Sequence, residues 1–230
     1  MHFISQTLSA FLLFNICYGQ VPVSQEPLHH KVLDNGHIRL LDVRIPPGDT
    51  TQFHIHATPS VFLVLTDAKT GSQVVSEEDH SGSPIKHYGN IWFEGFYLKP
   101  RVHRVYNLDQ HLYNVMDIEL TNTDFKTIDP PINQGAYTFL FEEKPVRAYR
   151  LNLLPGQAVS VPPRKADVLL IQLNDSTDNP GSQVFVPDIR LASTNQFNKK
   201  GHFMYIVSGT PFSLKNEGSG KGEFAFFELK

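Results

Sequence analysis

The amino-acid sequence predicts an all-β protein made of two tandem copies of one β-domain. Short segments rich in β-branched and aromatic residues are separated by turns that contain Pro and Gly. After residue 20, no segment combines a sustained helical period with end caps. Two motifs recur at a nearly constant spacing, which is typical of a duplicated domain.

The strand candidates follow one another along the first copy. Residues 38–45, IRLLDVRI, alternate in part and end at the strand-breaking Pro46-Pro47-Gly48 turn. The continuous run SVFLVLT, which begins at Ser60, is typical of a strand buried on both faces. The segments NIWFEGFYL and YNVMDIEL predict two further strands. The polar stretch 67–84 favours a hairpin excursion or a loop.

The internal repeat is defined by one motif near each end of the domain. VRIPPG ends at Gly48 and LNLLPG ends at Gly156, an offset of 108 residues. NLDQHLYNVMDIEL begins at Asn107 and its counterpart NEGSGKGEFAFFEL begins at Asn216, an offset of 109 residues. We therefore predict an N-terminal domain over 20–125 and a C-terminal domain over 126–230.

Composition and charge exclude several classes of protein. A chain of 230 residues can bury a substantial core, and its 17 Phe supply large apolar side chains. Its 20 basic and 23 acidic residues give a net charge of -3, so the basic surface of a nucleic-acid-binding protein is not expected. The sequence contains no apolar run long enough for a membrane-spanning helix.

Residues 1–19 have the outline of a secretory signal peptide. The apolar stretch 8–14 is followed by small residues at the -3 and -1 positions of a cut after Gly19. The alternative is a buried helix, since residues 1–7 contain no Lys or Arg. We expect cleavage near Gly19 and a secreted or periplasmic protein. Because the single cysteine, Cys17, lies in this segment, the mature chain would have no cysteine ligands or disulfides.

A set of spaced motifs in the first copy resembles the cupin superfamily. A Pro-Gly turn is followed by a His-x-His pair, a strand and a later Pro-x-x-His-x-x-x-Asn. In this sequence the motifs are Pro47-Gly48, His54-Ile55-His56, and Pro100-Arg101-Val102-His103 with Asn107. The duplication is similar to that of the bicupins, which contain two small β-barrels in tandem. The resemblance implies two jelly-roll (double-stranded β-helix) barrels.

The histidines of these motifs are candidate ligands for one divalent transition metal ion. His54 and His56 would point to the same side of a strand, about 6 to 7 Å apart. Buried imidazoles need a hydrogen bond or a metal ion. We expect His103 to meet the pair across the barrel. Three imidazoles suit Zn, Fe, Cu, Ni or Mn, and the sequence does not distinguish among these metals.

The sequence departs from the usual cupin pattern at one ligand. Cupins usually supply a Glu three or four residues after the second His, and those positions hold Ser60 and Val61. We therefore expect a three-histidine site, as in the cupin-type dioxygenases that lack this Glu. The alternative is a metal-free pocket in which the histidines are hydrogen-bonded. Candidates for lining the pocket or supporting the imidazoles are Gln52, Ser60, Arg101 and Asn107.

Other positions are expected to lie away from the chemistry. His29-His30 follow the predicted cleavage site and are placed on a solvated N-terminal arm. At the repeat offsets, the three ligand positions correspond to Pro162, Arg164 and Phe212 in the second copy. We therefore expect the second copy to be structural, or to serve specificity or dimerisation.

Two functions are consistent with these observations. The first is a metal-dependent cupin enzyme that acts on a small organic molecule through the three histidines. Oxygenase, isomerase and lyase chemistry all remain open, because a fold does not by itself select a reaction. The second is a non-catalytic bicupin that binds a sugar or another small molecule. Both functions imply a small-molecule partner and no nucleic acid, and both allow a homodimer.

Overall fold

The computed structural model describes residues 20–75, 85–176, 181–185 and 195–230. The predicted export signal, residues 1–19, lies outside these ranges. Within them, the only helical segment is a 3-10 turn at Val23–Gln25, and the other regular elements are strands. The all-β prediction is confirmed. The described residues contain no helix that is long and apolar enough to cross a membrane.

The first half of the chain folds into two sheets. Its strands are β1 (Val21–Pro22), β2 (His29–Asp34), β3 (Arg39–Ile45), β4 (His54–His56), β5 (Ser60–Val64), β6 (Thr70–Val74), β7 (Ile91–Glu94), β8 (Arg101–Asn107) and β9 (Tyr113–Glu119). They hydrogen-bond in the orders β1-β4-β8-β6 and β2-β3-β9-β5-β7. Strands β3, β5, β7 and β9 lie in the four segments predicted as strands. The polar stretch 67–84 contains β6, which pairs with β8.

The second half repeats this arrangement with its own two sheets. Its strands are β10 (Tyr137–Glu142), β11 (Val146–Leu153), β12 (Ala158–Val161), β13 (Asp167–Gln172), β14 (Ser182–Phe185), β15 (Asn195–Phe197), β16 (Phe203–Ile206), β17 (Phe212–Asn216) and β18 (Gly222–Leu229). They pair in the orders β10-β11-β18-β13-β16 and β12-β17-β14-β15. Residues 120–136, between the halves, contain no strand. The domain bounds at 125 and 126 stay a prediction.

Three apolar clusters hold the molecule together. One lies between the two sheets of the first half and includes Val43 and Val115. A second lies between the sheets of the second half. The third joins the halves, because Leu40 and Met116 of one five-stranded sheet pack with Phe227 and other residues of the other. Strands of these sheets are therefore buried on both faces, as the run SVFLVLT predicts.

The sequence repeat is also a repeat of hydrogen bonds. The amide N–H of Gly48 donates to the carbonyl of Asn107 at 3.1 Å, and that of Gly156 donates to the carbonyl of Asn216 at 2.8 Å. Each Asn side chain also donates to two main-chain carbonyls, at 2.8 and 2.7 Å for Asn107 and at 3.0 and 2.8 Å for Asn216. The two offsets therefore mark equivalent turns in three dimensions.

An ion pair is repeated in the same way. Arg39 Nη1 lies 2.8 Å from Glu119 Oε2, and Arg147 Nη1 lies 2.9 Å from Glu228 Oε2. The second pair is more deeply buried and gains a further cation, since Arg164 Nη2 lies 2.7 Å from the other oxygen of Glu228. Arg164, the counterpart of His56 by the repeat offset, thus serves a structural ion pair.

Candidate metal and ligand site

Strand β4 carries two imidazoles into the interior of the first half. His54 and His56 are 1% and 3% exposed, whereas Ile55 between them is half-buried on the other face. This arrangement follows from the alternation of side chains along a strand. The two histidines therefore face the same interior, as their spacing predicts.

His103 reaches this pair from the neighbouring strand. Strand β8 runs antiparallel to β4 and places His103 directly opposite His54. The ring centroid of His103 lies 4.7 Å from that of His54 and 5.0 Å from that of His56. Potential ligand atoms of the three residues all lie within 4.8 Å of one another. The three candidate ligands thus form one cluster, although His103 comes from an adjacent strand of the same sheet rather than from across the barrel.

Hydrogen bonds orient two of the three rings. Nδ1 of His54 lies 2.9 Å from the main-chain carbonyl of Gln52, which requires Nδ1 to carry the proton and leaves the lone pair on Nε2. Nδ1 of His103 lies 3.2 Å from Oγ of Ser72, and the buried Nε2 of His103 has no hydrogen-bond partner. Gln52 therefore supports a ligand through its backbone, and Ser72 is a supporting residue that sequence reasoning missed.

The buried rings are neutral. Burial lowers the pKa of His54 to about 4 and that of His103 to about 2, and it lowers the pKa of His56 well below its usual value. The neighbouring histidines and Arg101 add to these shifts. Neutral imidazoles keep the lone pairs that bind a transition metal ion. The orphaned Nε2 of His103 gives an independent reason to place a metal ion there.

A carboxyl group lies beside the imidazoles, on a strand that the cupin motif does not include. Asp117 of β9 is 1% exposed, and its Oδ2 lies 3.6 Å from Nδ1 of His56. Burial, reinforced by Glu119, raises the pKa of Asp117 well above its usual value. Ser60, expected near the imidazoles, donates to the carbonyl of Thr58 at 3.2 Å and also lies beside Asp117. The sequence signal for Asp117 is an acidic residue inside the apolar run YNVMDIEL.

His29 also belongs to this site, so its placement on a solvated arm is wrong. It is 8% exposed, and its ring centroid lies 4.7 Å from that of His54. Its Nε2 lies 3.7 Å from Glu26 Oε2, and its Nδ1 has no hydrogen-bond partner. Burial lowers its pKa to about 3. The cause is tertiary: β1 pairs with β4 and brings the N-terminal segment onto the site.

The imidazoles open onto a cavity of about 150 Å³. Its walls carry four aromatic rings, from Phe62, Trp92, Phe96 and Tyr113, and two cationic side chains, from Lys86 and Arg101. Phe62 and Trp92 stack with their centroids 5.1 Å apart, and Phe96 stacks on His56 at 5.4 Å. Arg101 therefore lines the pocket, as its candidate role requires.

Asn107 has a different position from the one suggested for it. It is 1% exposed, and its side-chain amide group donates to main-chain carbonyls of the turn rather than to an imidazole. Its equivalence to Asn216, in a half that lacks the histidines, supports the same conclusion. Asn107 closes a turn of the barrel.

The equivalent interior of the second half contains no imidazole among the described residues. The pairing of β12 with β17 places Val161 opposite Phe212, where β4 and β8 place His54 opposite His103. The structural counterpart of His54 is therefore Val161, one residue before the Pro162 that the offset of 108 suggests. Both Val161 and Phe212 belong to the apolar cluster of that half.

Comparisons with known proteins identify the fold. No protein-family model and no curated protein match the sequence. Among solved structures, a cupin 2 conserved barrel domain protein from Leptotrichia buccalis aligns with a TM-score of 0.52 and 8% identity, over 87% of each chain. The oxalate decarboxylase of Lactobacillus farciminis, in its formate complex, aligns with a TM-score of 0.59 and 12% identity, over 85% of this chain and 78% of that one.

A single-residue variant of salicylate 1,2-dioxygenase from Pseudoaminobacter salicylatoxidans is also similar. It aligns with a TM-score of 0.59 and 9% identity, over 84% of this chain and 72% of that one. At these identities the likeness concerns the fold alone. The chain has the cupin fold, as the spaced motifs of its first half imply.

Proposed function

We propose that this protein is an exported bicupin that binds one divalent transition metal ion through His54, His56 and His103 and acts on a small organic molecule. The convergence of three buried, neutral imidazoles from two paired strands carries the proposal. Without a metal ion, Nε2 of His103 would be a buried polar atom without a hydrogen bond, which destabilises the fold.

The protein's own residues prepare the site for such an ion. The carbonyl of Gln52 and the hydroxyl of Ser72 engage Nδ1 of His54 and His103, which directs the other nitrogen of each ring towards the cluster. A metal ion held by three protein ligands supplies Lewis acidity and an open position for a substrate.

The structural neighbours support catalysis on a small molecule. Their names describe a dioxygenase that acts on salicylate and a decarboxylase that acts on oxalate. Both substrates are small organic acids, and the cavity of about 150 Å³ beside the histidines has room for a molecule of that class. The reaction type is left open among oxygenation, isomerisation and lyase chemistry.

Elemental analysis of the purified protein tests the metal site. After exposure to Zn, Fe, Cu, Ni or Mn and removal of excess metal, the wild type should retain about one ion per chain. His54→Ala, His56→Ala and His103→Ala should each lose it while keeping the β-type circular dichroism spectrum. His30→Ala is the matched control, since His30 is exposed on β2. A wild type that retains none of these metals would favour the non-catalytic binding function.

Export and assembly are parts of the same proposal. The mature chain should begin near Gln20, and the intact mass of the secreted or periplasmic protein measures this directly. A mass that includes residues 1–19 would contradict export with cleavage. Sedimentation of the mature protein tests for the homodimer, and a sedimentation coefficient that does not change with concentration and fits one chain would exclude it.

A further inference from the structure

Lys86 is a cation of the cavity that has no acidic partner in the part of the chain that the structure describes. It lines the cavity, and its Nζ lies 4.8 Å from the centroid of the Trp92 ring. Among the described residues, no carboxylate lies within ion-pair distance of its ammonium group. An isolated β-bridge to Ala68 fixes its backbone. A long cationic side chain is thus held over an aromatic wall, with its charge directed at the cavity.

The cavity also contains one ion pair and one buried carboxyl group. Arg101 Nη1 lies 3.2 Å from Glu94 Oε2, so these two charges offset each other. Asp117 lies beside His56, two strands away from Trp92, because Phe62 pairs with Asp117 on one side and with Trp92 on the other. Two strand spacings place the backbones of Asp117 and Trp92 about 10 Å apart.

The two walls of the cavity differ in chemistry. The sheet that contains β4 and β8 presents the imidazoles, and the sheet that contains β5 and β7 presents the stacked rings of Phe62 and Trp92. A volume of about 150 Å³ is that of a cavity that holds one benzene-sized molecule. The cavity therefore has room for a single flat ring beside Phe62 and Trp92.

We propose that the cavity binds a small aromatic monocarboxylate, whose carboxylate pairs with Lys86 and whose ring packs on Phe62 and Trp92. This assignment names the substrate class of the proposed function, and it rests on that function for the chemistry at the imidazoles. Lys86 is then the residue that selects an acid over a neutral molecule of the same shape. A charge-assisted hydrogen bond of this kind contributes about 10-fold or more to affinity.

The sequence supplies a reporter for this site. Trp92 is the single tryptophan of the chain, so its fluorescence reports on the cavity. Benzoate and its neutral counterpart benzamide should be titrated into chelator-treated and metal-loaded protein. We expect saturable quenching by benzoate and at least about 10-fold weaker binding of benzamide, in the metal-free protein as well.

Variants of Lys86 test the assignment. Lys86→Met should abolish the preference for benzoate, and Lys86→Arg should keep part of it, with circular dichroism and metal content unchanged in both. The control Lys69→Met alters an exposed lysine and should behave as the wild type. Equal affinity for the two ligands, no quenching by either, or an unchanged preference in Lys86→Met would each overturn the assignment.

Metal content measured on the same samples separates this inference from the proposed function. A protein that loads metal but shows no preference for benzoate contradicts the role of Lys86 alone. A protein that binds benzoate through Lys86 but loads no metal contradicts the metal site and keeps the assignment of Lys86.

Discussion

The interiors of the two halves are built on one framework and filled with opposite chemistry. The first half surrounds a cavity with histidines and two carboxyl groups, whereas the second packs aromatic rings against one another. By strand register, the counterparts are Val161 for His54, Phe212 for His103 and Phe226 for Asp117. Phe212 and Phe226 stack with their centroids 6.3 Å apart.

This difference separates the residues that make the fold from those that make the site. The Asn-closed turn and the Arg–Glu ion pair occur in both halves, so the framework requires them with or without histidines. The interior side chains differ although the five-stranded sheets have the same strand order and the four-stranded sheets share three strands in the same order. Buried unpartnered polar atoms destabilise a fold, and the apolar second half offsets part of that effect through the large shared core.

Truncation of the side chains at the equivalent positions 226 and 117 should give the largest difference in stability between the two halves. Phe226→Ala removes a fully buried ring that contacts Phe212 and Tyr149, and it should lower the free energy of unfolding by about 3–5 kcal/mol. Asp117→Ala changes the counterpart beside an existing cavity, and it should change that free energy by less than about 1 kcal/mol. Urea denaturation followed by circular dichroism measures both. Equal losses in the two variants would contradict the contrast between the interiors.

The next largest difference between the two halves is expected in the pH dependence of stability. Burial lowers the pKa of His54 from 6.5 to about 4. As the pH falls, His54 is therefore protonated in the unfolded chain before it is protonated in the folded chain, which favours unfolding. The effect is negligible above about pH 7.5 and grows as the pH falls towards 4. In the presence of a chelator, the free energy of unfolding of the wild type should fall by about 2 kcal/mol more than that of His54→Asn between pH 7 and pH 4.5.

The difference between these two proteins isolates His54, since Asp117 and the other groups titrate in both. Urea denaturation at each pH supplies the measurement, and His30→Asn serves as an exposed control. If the wild type and His54→Asn lose stability in parallel, His54 is not held neutral by burial.

The shared framework should respond equally in the two halves. Asn107→Ala and Asn216→Ala each remove hydrogen bonds to two carbonyls from a buried side chain, and each should cost about 2 kcal/mol. The melting temperatures of the two variants provide the comparison, and metal content should be unchanged in Asn107→Ala. A loss of metal in that variant would mean that Asn107 supports the histidine site as well as the turn.

The smallest effect is expected at the two turn glycines. Gly48 and Gly156 have φ of +76° and +74°, and no atom lies within 4 Å of a Cβ placed on either. Replacement by Ala should therefore lower the free energy of unfolding by about 1 kcal/mol at each site, because only the positive φ is unfavourable for Ala. Thermal unfolding of Gly48→Ala and Gly156→Ala measures it. Markedly unequal values would mean that the two turns are not equivalent.

Much of the fold could be predicted from the sequence because strands and turns are local. Alternation predicts β3, the continuous run at Ser60 predicts a strand buried on both faces, and repeated Pro-Gly turns reveal the duplication. The polar strand β6 could not be predicted in this way. Its residues lack an apolar pattern, and only pairing with β8 makes them a strand.

The site was predictable only where its chemistry follows from residues close in sequence. The spacing of His54 and His56 places both on one face of any strand, and the later Pro-x-x-His points to His103. No local pattern tells which of His29 and His30 turns inwards. The burial of His29 depends on the docking of β1 against β4, which are separated by a long stretch of chain.

By itself, the sequence determined the all-β class, the repeat and the shared face of His54 and His56, because each depends on backbone geometry over a few residues. Only the tertiary structure decided that His103 lies opposite His54, that Asp117 stands beside His56, and that Lys86 faces the cavity. These three relations depend on strand register and on the facing of two sheets. Both are set by packing over the whole half rather than by any short segment.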